Sequence, residues 1–225
     1  MCMIKAVFFD LDDTLHNTTR LATLARRAAV QAMTDKGLAL KPDVAFLRLS
    51  EVIKRRGSNH PHHFDLLVEE VMGEKNDKIV AAGIIAYHNT KFANMAPYRD
   101  SVPSLIELKQ RGLSLNVITN GRSVKQWEKI LRLGLEAFFD HVVISEKVGH
   151  SKPGQEIYRI ALNLARCEPE EALFVDNSPE CVRGAKEVGM HTVLMDRTQT
   201  GTLTDATDYI LSDLSTLARV IETIK

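Results

Sequence analysis

The residues best suited to chemistry form the segment Asp10-Leu11-Asp12-Asp13-Thr14, directly after a short apolar run. Side chains alternate near a strand end, so Asp10 and Asp12 can lie on the same side with different roles. A carboxylate that attacks phosphorus forms an acyl phosphate and replaces one difficult displacement with two easier ones. A second carboxyl can protonate the leaving alkoxide and then deprotonate the attacking water. The alternative is an acidic strand-to-loop turn without a chemical role.

Two further clusters could hold a phosphate group. Thr119-Asn120-Gly121 combines a hydroxyl, an amide and flexible backbone N–H groups, which suit phosphate oxygens, although helix N-terminal turns favour the same residues. In Ser151-Lys152-Pro153, the proline favours a helix start, which would direct Lys152 back towards the strand ends. An ammonium there could hold Asp10 close to a phosphate dianion, whereas an isolated lysine is usually a solvated surface residue. We therefore predict phosphate binding by Thr119, Asn120 and Lys152, with Lys152 also acting in catalysis.

The fourth cluster begins at Asp176 and is predicted to complete a metal site. Asp176 and Asp10 would supply hard oxygen ligands for Mg²⁺, with the main-chain carbonyl of Asp12 as a third. Water and substrate oxygens would take the remaining positions. Asn177 and Glu180 would lie just outside these ligands and orient them or a bound water. The simpler alternative is a capped helix N-terminus.

All four clusters follow short apolar runs that are typical of buried parallel strands. The predicted strands are Ile4–Phe9, Leu115–Ile118, His141–Ile144, Ala172–Val175 and His191–Met195, with Tyr209–Leu211 as a short sixth. Amphipathic stretches of helical period lie between or after them, at Val102–Gln110, Val124–Leu133, Gln155–Ala165, Pro179–Val188 and Leu214–Ile224. Strands that alternate with helices predict an α/β fold with a parallel, doubly wound sheet, in which ligands bind at the carboxyl ends of the strands.

Residues 16–96 interrupt this alternation, because they contain helical patterns and no convincing strand. The predicted helices are Leu21–Lys36, Asp43–Lys54, Phe64–Met72 and Asn76–Phe92. The sequence therefore predicts a catalytic core formed by residues 1–15 and 97–225, with a helical domain of residues 16–96 inserted after the first strand.

Composition narrows the classes of partner. The 29 Lys and Arg residues balance the 29 Asp and Glu residues, so no broad basic field indicates nucleic acid or anionic lipid. The three cysteines, Cys2, Cys167 and Cys181, form no CxxC pair and are odd in number, which argues against a disulfide framework or a zinc site. The N-terminal apolar run is too short to span a bilayer. We expect a cytoplasmic protein, either a monomer or a homodimer, that acts on a small molecule.

These four clusters resemble the motifs of the haloacid dehalogenase superfamily over essentially the whole chain. The resemblance implies a Rossmann-like three-layer core with a helical cap inserted after the first motif. It also implies Asp10 as nucleophile, Asp12 as general acid/base, Thr119 and Lys152 as phosphate partners, and Asp10 with Asp176 as Mg²⁺ ligands.

Two stretches, Gly83–Phe92 and Val124–Leu131, are similar to an archaeal group of capped phosphatases often labelled glyceraldehyde 3-phosphate phosphatases. One motif differs from the family pattern. The fourth motif of the family usually begins Gly-Asp and carries a second Asp a few residues later, whereas this chain has Val175 before its aspartate and Cys181 at the later position. The change implies weaker metal binding unless the adjacent Glu180 compensates.

The favoured hypothesis is a Mg²⁺-dependent phosphomonoester hydrolase. A carbon–halogen hydrolase would need the nucleophilic aspartate but neither Asp12 nor Asp176. A phosphonate hydrolase would need a reactive lysine in the inserted domain, where Lys36, Lys41 and Lys54 are available and no motif selects one. A phosphomutase or a binding protein without turnover are further alternatives, the last supported only by the altered fourth motif.

Overall fold

The computed structural model describes residues 3–199 and 207–224, so Cys2 lies outside the described residues. The chain divides into two compact units. Thr18–Met95 forms a unit of helices. The described residues before and after that segment form a second unit, which is built around a β-sheet.

The sheet contains six parallel strands within the described residues, in the order β3-β2-β1-β4-β5-β6. Their bounds are Ala6–Phe9 (β1), Ser114–Thr119 (β2), His141–Ile144 (β3), Ala172–Asp176 (β4), His191–Met195 (β5) and Tyr209–Leu211 (β6). The order reverses at β1, which pairs with β2 on one side and β4 on the other. This reversal is the position at which open α/β sheets bind ligands.

Both faces of β1 are buried, which explains why its sequence is apolar at every position. Phe8 belongs to a cluster with Tyr158 and Phe174, on the face covered by helices after β3 and β4. Val7 and Phe9 point to the opposite face and are also fully buried. The strand is therefore enclosed on both sides, as in a three-layer α/β core.

Six helices accompany the sheet in the described residues. They are Ser101–Gln110 (α5), Ser123–Arg132 (α6), Ser145–Val148 (α7), Gln155–Ala165 (α8), Pro179–Glu187 (α9) and Leu217–Thr223 (α10). Helix α8 packs on β2 and β3, α9 packs on β4 and β5, and α5 contacts both β2 and α10. Short 3-10 turns occupy Glu136–Phe138, Pro169–Glu171 and Leu214–Thr216.

The helical unit contains α1 (Thr18–Asp35), α2 (Pro42–Arg56), α3 (His63–Met72) and α4 (Asp77–Asn94). Its core gathers apolar side chains from all four helices, among them Met33, Leu49, Leu67 and Ile79. Gly83 lets α4 approach α1 closely, since a Cβ there would lie 2.7 Å from Met33 Sδ. No helix in the described part of the chain combines the length and apolarity needed to cross a bilayer.

The α/β fold class, the six strands and the parallel sheet predicted from the sequence are confirmed. Most boundaries differ by one to three residues, and two of the differences lie at the ends of the sequence-predicted core. Strand β1 begins at Ala6 rather than Ile4, and the segment predicted as one helix from Leu214 opens with a 3-10 turn before α10. Asp213 causes that opening, because its carboxylate accepts a hydrogen bond from the Ser215 backbone N–H and fixes a local turn.

Helix α9 packs very closely against the loop that precedes α8. A Cβ built at Gly184 would lie 2.3 Å from the carbonyl oxygen of Pro153. Backbone atoms cannot move aside as a flexible side chain can, so only glycine fits here without displacing the loop. That loop also carries Lys152, and the close approach therefore fixes a predicted site residue.

We expect Gly184→Ala to lower the free energy of unfolding by about 1–3 kcal/mol, because overpacking outweighs the roughly 1 kcal/mol that alanine gains in a helix. Urea or thermal unfolding measures the change. Arg183→Ala, at an exposed position on the same helix, is the matched control and should change stability by less than about 0.5 kcal/mol. A Gly184→Ala protein as stable as the parent would contradict the close packing.

Candidate active site

The carboxyl ends of the three central strands bring together side chains that are far apart in sequence. The register pairs Phe9 with Val117 on one side and with Val175 on the other. Asp10 therefore follows β1 at the level of Asp176, while Thr119 ends β2 one residue further along. The backbone N–H of Asp10 donates to the Val175 carbonyl at 2.9 Å, which anchors the first residue of the acidic segment to β4.

Lys152 joins the two carboxylates. Its Nζ lies 2.7 Å from Asp10 Oδ1 and 2.6 Å from Asp176 Oδ2. The side chains are 2%, 9% and 2% exposed for Lys152, Asp10 and Asp176, so this is a buried network of one cation and two anions. Burying an unpaired charge is very costly, and the three groups can be buried only because they pair with one another.

The backbone of Lys152 is held by the side chain of Asn120. The Lys152 N–H donates to Asn120 Oδ1 at 2.9 Å, and Asn120 Nδ2 donates to the Lys152 carbonyl at 2.8 Å. The loop after β2 thus positions the loop before α8. Both polar ends of the Asn120 side chain contact Lys152, so a contact between Asn120 and phosphate stays a prediction.

The surroundings shift the pKa of the proposed nucleophile. Burial raises the pKa of Asp10 from 3.8 to about 7; Lys152 opposes this rise, and the nearby Asp176 and Asp12 carboxylates add to it. Burial alone would lower the pKa of the Lys152 ammonium, but the two carboxylates beside it outweigh burial and raise it. Lys152 therefore stays charged, and the ionised form of Asp10 is disfavoured.

Asp12 has a different set of partners, which sequence reasoning missed. Lys129 Nζ lies 2.7 Å from Asp12 Oδ1 and 2.6 Å from its Oδ2. Gln126 Nε2 donates to Oδ2 at 3.3 Å, and His16 Nε2 lies 3.1 Å from Oδ1. The available signal was the three-residue spacing of Gln126 and Lys129, which puts two polar groups on one helix face beside Ile130.

Thr119 offers an unused donor. Its side chain is 1% exposed, and its Oγ1 has no hydrogen-bond partner within the described part of the chain. Buried hydroxyls are normally satisfied, so such an atom indicates a ligand or a water at this place. Beyond it, the Gly121 N–H donates to Ser145 Oγ at 2.9 Å. Gly121 has a φ of +138°, a conformation for which glycine is suited.

The two residues predicted to lie outside the metal ligands are both exposed. Neither Asn177 nor Glu180 makes a described contact with Asp10, Asp176 or Lys152. The other oxygen of Asp176 instead accepts a hydrogen bond from the Ser178 N–H at 2.7 Å. Their influence on a metal therefore stays a prediction.

Cys181 lies nearer to the charged groups. Its side chain is half-buried, burial raises the pKa of its thiol to about 11, and Asp176 adds to that rise. A thiol in this condition stays protonated at neutral pH and supplies no negative charge. Cys167 is likewise free and half-buried.

The donor set fits a magnesium ion better than a softer metal. In the described residues, no group of three or more His, Cys, Asp or Glu side chains has the arrangement of a metal site. The predicted set has only two carboxylates, Asp10 and Asp176, with the main-chain carbonyl of Asp12. Mg²⁺ takes hard oxygen ligands, commonly one or two carboxylates, and keeps water or substrate oxygens in its other positions.

The chain is similar to known proteins in a family match, in related sequences and in a solved structure, and these three comparisons agree. Residues 7–195 match the family described as haloacid dehalogenase-like hydrolase. The glyceraldehyde 3-phosphate phosphatase of Methanopyrus kandleri is 46% identical over 87% of this chain and 85% of its own length. That of Methanothermobacter thermautotrophicus is 41% identical over 97% of this chain and 100% of its own. A crystal structure of a HAD phosphatase from Thermococcus onnurineus superposes with a TM-score of 0.71 at 27% identity, covering 97% of this chain and 98% of that one.

The buried network generates a prediction about stability and pH. Because the folded pKa of Asp10 lies above 3.8, its contribution to stability is fully present below about pH 4 and is lost as the pH rises towards 7. Lys152→Met leaves both carboxylates without a cation and raises the folded pKa of Asp10 further, because Lys152 opposes that rise. We expect unfolding in EDTA to reveal a destabilisation of about 3–5 kcal/mol near pH 8 and a smaller one near pH 5.

Lys147→Met is the matched control, since Lys147 is exposed on α7. Its stability should follow that of the parent at both pH values. A Lys152→Met protein whose loss of stability is the same at the two pH values would contradict the burial of two carboxylates around one ammonium.

Proposed function

Because the chain belongs to the haloacid dehalogenase-like hydrolase family, we propose that it is a Mg²⁺-dependent phosphatase. Its substrate would be a small phosphorylated sugar, with glyceraldehyde 3-phosphate as the first candidate. The observation that carries the proposal is the buried contact of Lys152 with Asp10 and Asp176. At the end of the neighbouring strand β2, the Thr119 hydroxyl has no hydrogen-bond partner among the residues that the structure describes. Relatives of 41–46% identity that are named glyceraldehyde 3-phosphate phosphatase support the substrate class.

The first half of the reaction transfers the phosphoryl group to the enzyme. A carboxylate oxygen of Asp10 attacks phosphorus, the bond from phosphorus to the ester oxygen breaks, and an acyl phosphate forms on Asp10. Asp12 gives its proton to the departing alkoxide, which leaves as an alcohol. Lys152 and the Thr119 hydroxyl bind the phosphoryl oxygens and hold phosphorus in line between the attacking Asp10 oxygen and the leaving ester oxygen.

The second half releases phosphate. Asp12, now a carboxylate, removes a proton from a water molecule that attacks phosphorus. The bond from phosphorus to the Asp10 oxygen breaks, which restores both carboxyl groups and frees inorganic phosphate. One residue thus acts first as an acid and then as a base, and Asp12 needs a fixed orientation in both steps.

Asp10, Asp176 and the Asp12 main-chain carbonyl would hold Mg²⁺. When bound, the ion supplies positive charge that favours the ionised form of Asp10 and neutralises the phosphoryl oxygens. The raised pKa of Asp10 is consistent with this requirement, because a buried nucleophile with a pKa of about 7 gains most from a cation beside it.

The geometry favours ester hydrolysis over carbon–halogen hydrolysis. A halide leaves without a proton, so the second reaction needs no held acid at position 12. Here the carboxylate of Asp12 is bound by Lys129, Gln126 and His16, which is a costly arrangement for a residue without a role. These contacts with Asp12 support a substrate whose leaving group must be protonated.

Besides the roles of the site residues, three further parts of the sequence-based hypothesis stay proposals. They are the division into a core of residues 1–15 and 97–225 with a cap of residues 16–96, a cytoplasmic location, and a monomeric or homodimeric state. The proposed substrate is a small molecule rather than a nucleic acid or a membrane surface, in keeping with the equal numbers of basic and acidic residues.

The proposal predicts Mg²⁺-dependent phosphate release from small phosphomonoesters, with glyceraldehyde 3-phosphate among the best of a panel. Asp10→Asn should reduce kcat at least about a thousandfold, because an amide cannot form the acyl phosphate. Asp77→Asn, at an exposed position on α4, is the matched control and should retain the parent rate. If the folded parent protein binds phosphate but releases none from any ester, the phosphatase proposal is wrong.

A second prediction concerns the altered fourth motif. Cys181→Asp places a carboxylate close to Asp176, and we expect it to lower the Mg²⁺ concentration for half-maximal activity by about tenfold. The thermal shift produced by Mg²⁺ should move to lower concentrations in parallel. Cys181→Ser, which removes the thiol without adding charge, should leave both curves unchanged. Equal curves for the aspartate and serine variants would count against an effect of this position on the metal.

A further inference from the structure

Helix α6 presents a cation to Asp12 that is separate from the cation beside the nucleophile. Lys129 lies on the helix that follows the Thr119 loop, and its Nζ contacts both carboxylate oxygens of Asp12, at 2.7 and 2.6 Å. The Lys129 side chain is 13% exposed and that of Asp12 is 29% exposed. An ion pair so sheltered on its cationic side is less weakened by solvent than an exposed surface pair.

We infer that Lys129 is a positioning residue, which fixes the Asp12 carboxyl group for proton transfer to the leaving alcohol and from the attacking water. The inference rests on the proposed function, because it assigns a purpose to Lys129 only if Asp12 is the acid and base of a phosphatase.

The two-point contact is the geometric basis of this assignment. A cation that meets one carboxylate oxygen leaves the group free to rotate about its terminal bond, whereas contacts to both oxygens define the carboxylate plane. Gln126 supports the same plane from one turn earlier on α6, since its Nε2 donates to Asp12 Oδ2 at 3.3 Å and to the Asn120 carbonyl at 2.7 Å. The Gln126 side chain therefore contacts the Thr119-Asn120-Gly121 segment as well as Asp12.

The backbone around Asp12 is fixed from the other direction. The N–H of Asp13 donates to the His16 carbonyl at 2.8 Å, and His16 Nε2 lies 3.1 Å from Asp12 Oδ1. His16 is 1% exposed, so its ring cannot move away without opening the core. Asp12 is thus held by its own segment and by α6, and Lys129 makes the shortest of these contacts.

Among the described residues, Asp12 is the contact that accounts for the position of the Lys129 ammonium. The buried ammonium of Lys152 is already paired with Asp10 and Asp176. In the contacts described for it, Lys129 Nζ is bonded to Asp12 alone. A proton that leaves Asp12 also leaves a negative charge there, and an ammonium already in place meets that charge without reorganisation.

The test compares the activity of each variant on two substrates that differ in their leaving group. Asp12 matters for an alkyl phosphate, whose alkoxide must be protonated, and hardly matters for 4-nitrophenyl phosphate, whose phenolate leaves as a stable anion. The quantity to compare is kcat/KM, because it covers the steps up to release of the alcohol or phenol. Parent enzyme, Lys129→Met, Lys129→Arg and Asp12→Asn are assayed on glyceraldehyde 3-phosphate and 4-nitrophenyl phosphate with saturating Mg²⁺.

We expect Lys129→Met to lower kcat/KM for glyceraldehyde 3-phosphate about a hundredfold through kcat, and for 4-nitrophenyl phosphate less than about fivefold. Asp12→Asn should give the same asymmetry, and Lys129→Arg should restore the parent value to within about tenfold because it keeps two donors. In an Asp12→Asn background, Lys129→Met should change kcat/KM less than about twofold, since residues that act as a unit are not additive. Lys125→Met, exposed one turn earlier on α6, is the matched control.

Equal losses on the two substrates, or a folded Lys129→Met protein within about threefold of the parent on the alkyl ester, would overturn the positioning role. Further loss in the Asp12→Asn background would overturn it as well, and this double variant also separates positioning from general damage to the fold. A parent enzyme that releases phosphate from neither ester would overturn the proposed function itself. That outcome is distinct from activity in the parent with no substrate-dependent effect of Lys129→Met.

Discussion

The arrangement at the end of the central strands depends on the buried ammonium of Lys152. Asp10 and Asp176 end neighbouring parallel strands, so the sheet itself forces two carboxylates close together where water is scarce. Without a cation between them, repulsion and desolvation would oppose the strand pairing. One ammonium for two carboxylates still leaves a net negative charge. Burial raises the pKa of Asp10, and that residual charge adds to the rise. A divalent cation bound beside the carboxylates would offset the charge and allow a phosphate ester to approach.

The buried ammonium of Lys152 stays paired only if the backbone that carries it has a fixed position. Lys152 comes from a loop rather than from a strand, and two other segments hold that loop. Asn120 bonds the N–H and carbonyl of Lys152, and α9 approaches Pro153 so closely that only Gly184 fits. Both supports follow strands of the same sheet. The order of the strands therefore determines the position of the cation as well as the positions of the carboxylates.

The local pattern of apolar and polar residues was enough to predict the strands and helices and the polar residues at the strand ends. Apolar runs of four to six residues can only be buried strands when helical periods separate them, so the α/β fold and its parallel sheet followed from the sequence. Asp10, Thr119, Lys152 and Asp176 could be grouped because strand ends of a parallel sheet meet at one edge.

The partners of Asp12 could not be found in this way. Lys129 lies in an ordinary amphipathic helix, and only packing of α6 determines which of its charged residues turns inward. The side chain of Asn120 shows the same limit. An amide after a strand suits a phosphate or a neighbouring loop equally well in sequence, and the structure directs both ends of it to Lys152. Which alternative occurs depends on a segment thirty-two positions away, so no local rule could decide it.

Lys152 pairs with Asp10, whereas Lys129 pairs with Asp12. Because each carboxyl group has its own cation, the two groups can have different chemical roles although they are close in sequence. Lys152 is enclosed and stays with the nucleophile, where it opposes the rise in pKa that burial imposes on Asp10. Lys129 contacts Asp12 nearer to the solvent, where the proposed acid would exchange protons and the leaving alcohol would depart. The charge of Asp12 already raises the pKa of Asp10. A single cation shared between the two groups would couple them further, because protonation of one would change the contact of the cation with the other. With separate partners, the proposed acid Asp12 could lose and regain a proton while the proposed nucleophile Asp10 keeps its orientation.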